Sequence, residues 1–318
     1  MARRPVWMAA GAIVLAIVLA PAGPAGASRE ASVMAPLAPS SWLLDVAARD
    51  GLLVAVGERG HVLVSKDQGQ SWRQAEVPTR ALLTGVFMQD ARIGWAVGHD
   101  EVVVRTRDGG VTWERVHSAP EHEKPLLDVW FADARAGLAV GAYGGLLATT
   151  DGGDTWTPRA VYGEDDFHLT QIAAAPDGTL FLAAEAGHLY RSDDRGATWR
   201  PLPSPYDGSF FGLLPRPDGS VLAFGLRGHL YRSTNGGRSW TAIETGTDAT
   251  LTSALDLGGG RFVVCGMAGT LLWSDAAGGA VRKQELPDRK AIVALAPGAP
   301  GTLLLVGEGG VRHVEIPR

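Results

Sequence analysis

Cysteine, basic charge and long apolar runs are all scarce in this 318-residue chain. Its single cysteine, Cys265, excludes an internal disulfide, and because it lies in an apolar stretch we expect a buried thiol without redox chemistry. Lys and Arg number 29 against 34 Asp and Glu, and this formal net charge of -5 argues against nucleic acid as a partner. With 46% hydrophobic residues, the chain must instead be stabilised by packing of a sizeable core.

The longest apolar run lies near the N-terminus, over residues 6–20, and follows Arg3 and Arg4. It is shorter than the roughly 20 residues that a membrane span needs, and small residues follow it at 25–27. This pattern is typical of a secretory signal peptide, so we predict a signal at 1–27, cleavage before Ser28 and an exported, periplasmic domain over 28–318. An uncleaved membrane anchor is the alternative.

Glycine and tryptophan are abundant, at 42 and 10 residues, and the tryptophans mark an internal repeat. Five segments share the pattern Ser/Thr-x-Asp/Asn-x-Gly-x-Ser/Thr-Trp, or a close variant, and end at Trp72, Trp113, Trp156, Trp199 and Trp240, with steps of 41 or 43 residues. A sixth copy at 274–281 has lost its tryptophan, and Val281 stands in its place. A second marker, a small residue, stands eight positions before each of these six copies and recurs a seventh time with no motif after it: Gly57, Gly98, Gly141, Ala184, Gly225, Gly266 and Gly307. The chain therefore carries seven repeats.

A period of 40 to 50 residues with short apolar runs is typical of β-propeller blades. We predict an all-β, seven-bladed β-propeller of four-stranded antiparallel blades. The seventh repeat has sequence for three strands only, and an unpaired edge invites aggregation. Ser32 to Leu37, at the mature N-terminus, is predicted to supply the missing strand and close the ring.

The repeated motif is interpreted as a structural turn. Its acidic or amide residue accepts backbone hydrogen bonds, and its tryptophan packs into the blade. Five positions are assigned this role: Asp67, Asp108, Asp151, Asp194 and Asn235. A calcium loop or a row of catalytic acids is disfavoured, because a residue that recurs in every blade is explained by the blade itself.

The histidines give no metal-binding pattern either. His61, His188 and His229 follow a glycine at the same repeat position and are interpreted as framework. His122, and the group Asp165, Asp166 and His168, do not match a strong ligand spacing. We therefore predict no metal, no cofactor and no catalytic residue.

Partner-binding residues are expected on the face opposite the repeated motif, where blades differ from one another. Arg59, Arg80, Arg289 and Lys290 would form a basic sector with Arg227 nearby, and Glu164, Asp165 and Asp166 an acidic one. Such a dipolar face would orient a charged partner, although ordinary solubility charges are an equal alternative. Trp42, Tyr206 and Phe210 are candidate anchors if they are exposed.

The repeated element is identified as the Asp-box, or bacterial neuraminidase repeat. Two longer stretches, at 86–113 and 129–156, share an aromatic residue, an acidic turn, Ala-Val-Gly and then the Asp-box. They resemble the photosystem II stability and assembly factor family. That resemblance implies a non-catalytic, monomeric propeller of the periplasm or thylakoid lumen that binds a membrane-protein complex or assembly intermediate.

Two other functions stay open at this point. A sialidase-type glycoside hydrolase would need a tyrosine nucleophile, for which Tyr143, Tyr162 and Tyr206 are the loop candidates. The chain lacks a local arginine signature of that family, and its seven repeats differ from the usual six. A receptor-like module that binds peptide or carbohydrate differs from the assembly scaffold only in its partner.

Overall fold

A computed structural model describes residues 31–163 and 166–317 of the chain. Within them, 27 strands form seven antiparallel sheets. Six of the sheets have four strands and one has three. The predicted seven-bladed, all-β propeller is therefore confirmed. The predicted signal at 1–27, Glu164 and Asp165 lie outside the described residues.

Each blade uses consecutive strands, numbered here from the inner to the outer strand. Blades one to four are β1 to β4 (Leu43–Arg49, Leu52–Gly57, Val62–Ser65, Arg73–Ala75), β5 to β8 (Leu83–Met88, Gly94–Gly98, Val103–Thr106, Glu114–His117), β9 to β12 (Leu126–Phe131, Gly137–Gly141, Leu146–Thr149, Thr157–Arg159) and β13 to β16 (Leu169–Ala174, Leu180–Ala184, Leu189–Ser192, Arg200–Pro201). Blades five to seven are β17 to β20 (Phe210–Pro215, Val221–Gly225, Leu230–Ser233, Thr241–Ala242), β21 to β24 (Leu251–Gly258, Arg261–Gly266, Thr270–Ser274, Val281–Glu285) and β25 to β27 (Ile292–Pro297, Thr302–Gly307, Arg312–Glu315).

The core lies between the blades. Second strands such as β2 and β10 are buried at every residue, because the neighbouring blades cover both faces of each sheet. Hence these strands read as continuous apolar runs without polar alternation. Cys265, on β22, is fully buried as expected, and burial raises the pKa of its thiol to about 12.

Every inner strand carries a β-bulge at its second residue, where the pairing with the second strand shifts. The seven bulged residues are Leu44, Thr84, Leu127, Thr170, Phe211, Thr252 and Val293. Three of them are threonines, and each donates its hydroxyl hydrogen to a carbonyl of the next inner strand, as Thr84 does to Leu126 at 2.7 Å. The bulges thus join neighbouring blades at the centre of the ring.

Carboxylates next to two of these bulges make a second inter-blade link. Asp45 accepts a hydrogen bond from the Val86 N–H at 2.8 Å, and Asp128 accepts one from the Ile172 N–H at 2.8 Å. Gln171 takes the same role in blade four through its Oε1 atom, which accepts from the Leu213 N–H at 2.7 Å. Side chains of the inner strands therefore fix the register between blades.

The predicted completion of the seventh blade is not confirmed. Among the described residues, β25 to β27 form a three-stranded sheet. Ser32 donates its N–H to the Val77 carbonyl at 2.8 Å, and Ala35 donates its N–H to the Gln74 side chain at 2.8 Å, so the segment is bonded along the outer strand of blade one. The two ends of the ring still meet, because the Val311 N–H donates to the Pro39 carbonyl at 3.0 Å.

Candidate partner-binding face

The ring has two faces of different construction. One face carries the Asp-box turns between third and fourth strands. The other, which we call the link face, carries the turns between second and third strands and the links between blades. The turns of the link face repeat closely: each has two consecutive residues with left-handed φ, and the first of the two is Arg59, Asp100, Tyr143, Ala186, Arg227, Ala268 or Gly309. The backbone recurs while the side chain varies, as expected of a surface that recognises a partner.

The Asp-box carboxylates are occupied by their own turns. Asp151 accepts hydrogen bonds from the Thr149 hydroxyl at 2.8 Å and from the N–H and hydroxyl of Thr155 at 3.0 and 2.6 Å. In the equivalent turn of blade four, the Thr198 hydroxyl and backbone and the Ser192 hydroxyl hold the pKa of Asp194 at about 2. Asn235 reproduces the arrangement with Ser233 and Ser239. The side-chain oxygen atoms of these Asp and Asn residues therefore accept hydrogen bonds within their own turns.

The tryptophans of the boxes pack at the edges of the blades. The indole N–H of Trp72 donates to Gly69 at 3.0 Å, that of Trp113 to Gly110 at 3.2 Å, and that of Trp240 to Pro203 at 2.9 Å. Trp156 packs edge-on against Phe131, with ring centroids 5.9 Å apart. Trp199 is buried at 7% exposure.

All five basic residues of the predicted sector lie on the link face. Arg59 and Arg80 are close neighbours, because the turn at Gly60 packs against the backbone of Thr79 and Arg80. Arg289 adjoins the Gly269 turn of blade six, and the Lys290 side chain covers Gly309 of blade seven. Arg227 is exposed on the turn of blade five. Of the acidic sector, Asp166 is exposed, while Glu164 and Asp165 lie outside the described residues. Binding by these residues stays a prediction.

Large exposed apolar side chains concentrate on the link face. Six of them lie on its turns, links or bulges: Leu37, Trp42, Tyr143, Tyr162, Phe211 and Met267. The other three among the described residues are Val111 on an Asp-box turn, and Val33 and Met34 beside the outer strand of blade one. Phe210 is fully buried and is therefore excluded as an anchor; the bulge turns the next residue, Phe211, outward instead. Trp42 is 43% exposed, and Tyr206 is half-buried against His229.

Two of the repeated histidines belong to aromatic stacks on this face. The His188 ring lies 3.8 Å from that of Phe167, and the His229 ring lies 4.0 Å from that of Tyr206. Each aromatic partner comes from the link that precedes the blade. His61 is buried and its Nδ1 atom lies 2.9 Å from the Ser41 hydroxyl. All three histidine rings therefore contact residues of the propeller itself, as expected of structural residues.

A carboxylate that the sequence did not single out lies between blades two and three. Glu101 is 5% exposed and has a left-handed backbone, with φ of 51°. Its two oxygens lie 2.9 Å from His122 Nδ1 and 3.3 Å from His117 Nε2. Within the described residues, no three His, Cys, Asp or Glu side chains are placed to hold a metal ion.

Two of the three loop tyrosines pack against neighbouring rings. The Tyr143 ring packs edge-on against His168, with centroids 4.8 Å apart, and Tyr206 packs against His229 and Phe210. The hydroxyls of these two tyrosines make no hydrogen bond to a described glutamate.

None of the helices in the described part of the chain has the length and hydrophobicity to cross a membrane.

Seven antiparallel blades with Asp-box turns define a seven-bladed propeller of the neuraminidase-repeat type. A family model described as "Photosynthesis system II assembly factor YCF48" matches residues 64–124 and 119–281, which is more than half of the chain. The protein therefore belongs to this family, as its sequence resemblance predicted.

Individual relatives match this chain over a short segment or at low sequence identity. The chain is 40% identical over 81 residues to the chloroplastic photosystem II stability/assembly factor HCF136 of Cyanidioschyzon merolae, a match that covers 24% of this chain but only 17% of that protein. A solved structure of YCF48 bound to a D1 peptide has a TM-score of 0.72 at 18% identity, and covers 91% of this chain and 97% of its own. A streptogramin B lyase has a TM-score of 0.75 at 12% identity, over 86% and 93% of the two chains, so the fold alone does not decide between binding and catalysis.

Proposed function

We propose that this protein is a non-catalytic scaffold on the exported side of a membrane, where its link face binds an extended segment of a subunit of a membrane-protein complex during assembly. Family membership supports the assembly role, and the D1 peptide held by the related YCF48 structure supports a polypeptide as the ligand. The signal-like sequence at 1–27 supports export.

One observation supports binding at the link face. Exposed apolar side chains such as Trp42 and Phe211 lie on the same face as Arg59, Arg80 and Arg289. Apolar anchors supply affinity when they are desolvated, while the surrounding charges orient the partner. The opposite face offers carboxylates that are already hydrogen-bonded within their own turns. The link face therefore offers a polypeptide partner several exposed apolar side chains beside basic ones, whereas the Asp-box turns offer Val111 as their one large exposed apolar side chain among the described residues.

Charge reversal on matched faces tests this assignment. The triple variant Arg59→Glu, Arg80→Glu, Arg289→Glu changes the link face, and Lys66→Glu, Arg195→Glu, Arg238→Glu makes the same change in net charge on exposed residues beside the Asp-boxes. Each tagged chain is expressed in its source cells and used to capture partners from detergent-solubilised membranes. We expect the unchanged chain and the Asp-box variant to capture the same membrane protein, and the link-face variant to lose it. Capture that is reduced equally by both variants would assign the effect to net charge and contradict the proposal.

Export is tested separately. Cell fractionation with protease treatment of intact spheroplasts should degrade the protein, and N-terminal sequencing should begin at Ser28. A protein that is protected in the cytoplasm, with residues 1–27 retained, would refute the exported location.

A further inference from the structure

One position of the link face breaks the sevenfold pattern. The residue that enters the third strand, four positions after the small residue of each repeat, is His61, Val102, Gly145, His188, His229, Thr270 or Val311. Blade three alone has glycine there. The backbone is nevertheless the same, since the N–H of Gly141 donates to the Gly145 carbonyl as the N–H of Gly57 donates to that of His61. Blade three therefore lacks only the side chain.

Blades one, two and six bury that side chain. His61, Val102 and Thr270 are each at most 4% exposed, so they fill the space between turn and link. In blade four the space also takes a ring from the link, because Phe167 stacks on His188. Phe167 lies two residues before the inner strand β13, and the residue two before β9 is Lys124. Blade three thus has a glycine and a lysine where blade four has two stacked rings.

The space is left open in blade three as a pocket of about 350 Å³. Its walls include the apolar side chains of Leu126, Leu146 and Pro158, and its rim carries Tyr143, Lys124 and Arg159. Tyr143 is 55% exposed. The pocket is therefore apolar inside and has an aromatic residue and two cations at its opening.

The two cations at the rim have no partner in the described parts of the chain. Lys124 and Arg159 are exposed, and neither makes a hydrogen bond or ion pair with another described residue. Glu101, which also reaches the pocket, is held by His117 and His122. Glu121 and Glu123 lie on the same link but do not line the pocket. The charge available to a ligand at the opening is therefore positive.

We infer that the Gly145 pocket binds an aromatic side chain of the partner polypeptide, with Lys124 and Arg159 pairing with a carboxylate next to it. The inference rests on the proposed function and names one subsite of the link face. The aromatic ring would replace the histidine that blades one, four and five supply from their own chain, and the carboxylate would form charge-assisted hydrogen bonds at the rim.

The test uses a small probe, so that it does not depend on the partner. Binding of 3-phenylpropionate to the full mature chain is measured by NMR line broadening and chemical-shift change, at probe concentrations up to about 10 mM. Gly145→His restores the residue found in blades one, four and five and should fill the pocket. Val311→His makes the same change at the equivalent position of blade seven and serves as the matched control. A double variant, Lys124→Gln with Arg159→Gln, removes the charges.

We expect saturable binding to the unchanged chain and to Val311→His, loss of binding in Gly145→His, and binding about tenfold weaker in the double variant. The neutral probe 3-phenylpropanamide should also bind more weakly. Equal binding to Gly145→His, or no binding to the unchanged chain, would overturn the subsite. Equal binding of the neutral probe would overturn the role of the cations. None of these results bears on the capture experiment with the link-face variants, so the two proposals fail independently.

Discussion

The Oδ2 atom of Asp128 accepts a hydrogen bond of 2.8 Å from the backbone N–H of Ile172 in the next blade. Burial raises the pKa of this carboxyl to about 8, and the negative charge of Asp45 contributes to the rise. Burial likewise raises the pKa of Asp45 to about 6. The inner strands therefore hold two carboxyl groups that bind a proton more tightly than an ordinary aspartate does.

This pair predicts how stability depends on pH. In the unfolded chain both groups ionise near the ordinary aspartate pKa of 3.8, so between that pH and about 8 the folded chain binds more protons. The contribution to stability is complete below the unfolded pKa and is lost as the pH rises through the folded values. We expect the free energy of unfolding in urea to fall by several kcal/mol between pH 5 and pH 9, because each unit of pKa shift corresponds to about 1.4 kcal/mol.

Blade four supplies the control for that prediction. Gln171 makes the equivalent inter-blade bond without a titrating group, so Asp128→Gln should fold and should lose most of the pH dependence. An unchanged pH profile in Asp128→Gln would show that the slope arises elsewhere in this acidic chain.

The Asp-box turns should be sensitive to loss of the acceptor but tolerant of an amide. Asp194→Ala leaves the N–H and hydroxyl of Thr198 without their acceptor, and we expect a loss of about 1 kcal/mol in urea unfolding. Asp194→Asn should cost less, because Asn235 performs the same role in blade five. Equal losses in the two variants would mean that the hydrogen bonds do not stabilise the turn.

Asp166→Ala, at an exposed aspartate outside the boxes, is the matched control and should leave stability unchanged. Addition of calcium or EDTA should not alter any of these transitions. A calcium-dependent shift would return the boxes to the class of metal-binding loops.

Cys265 should report unfolding. Its thiol is fully buried, with a pKa of about 12, so the reactive thiolate is scarce and inaccessible. We expect no reaction with Ellman's reagent in the native protein and one equivalent in urea. Rapid labelling of the native chain would show that blade six opens.

Gln74 should hold the N-terminal segment against blade one. Its side chain accepts from the Ala35 N–H at 2.8 Å and donates to the Val33 carbonyl at 3.0 Å. Gln74→Ala should therefore release this segment, with faster proteolysis before Ala38 and little change in the unfolding midpoint of the ring. Proteolysis at the rate of the unchanged chain would show that other contacts fix the segment.

Repeat spacing was enough to predict the blade number, because each repeat is one hydrophobic unit that needs its neighbours. The sequence could not decide which blade edge the segment from Ser32 to Leu37 would join, since its short apolar residues suit either edge. The sequence left open whether Phe210 is exposed. A β-bulge at Phe211 turns Phe211 outward and leaves Phe210 buried, and no sequence pattern predicts the bulge. Gly145 is the only glycine at its position in the aligned repeats, but the pocket beside it is visible only in the three-dimensional structure.

Site-specific photo-crosslinking in intact cells tests whether the link face binds a membrane-protein subunit. Benzoylphenylalanine replaces Trp42, Tyr162 or Met267 on the link face, and Val111 or Arg195 beside the Asp-boxes. We predict that positions on the link face crosslink to a membrane-protein subunit and that those beside the Asp-boxes do not. Crosslinks to a membrane protein from the Asp-box positions alone would contradict binding at the link face.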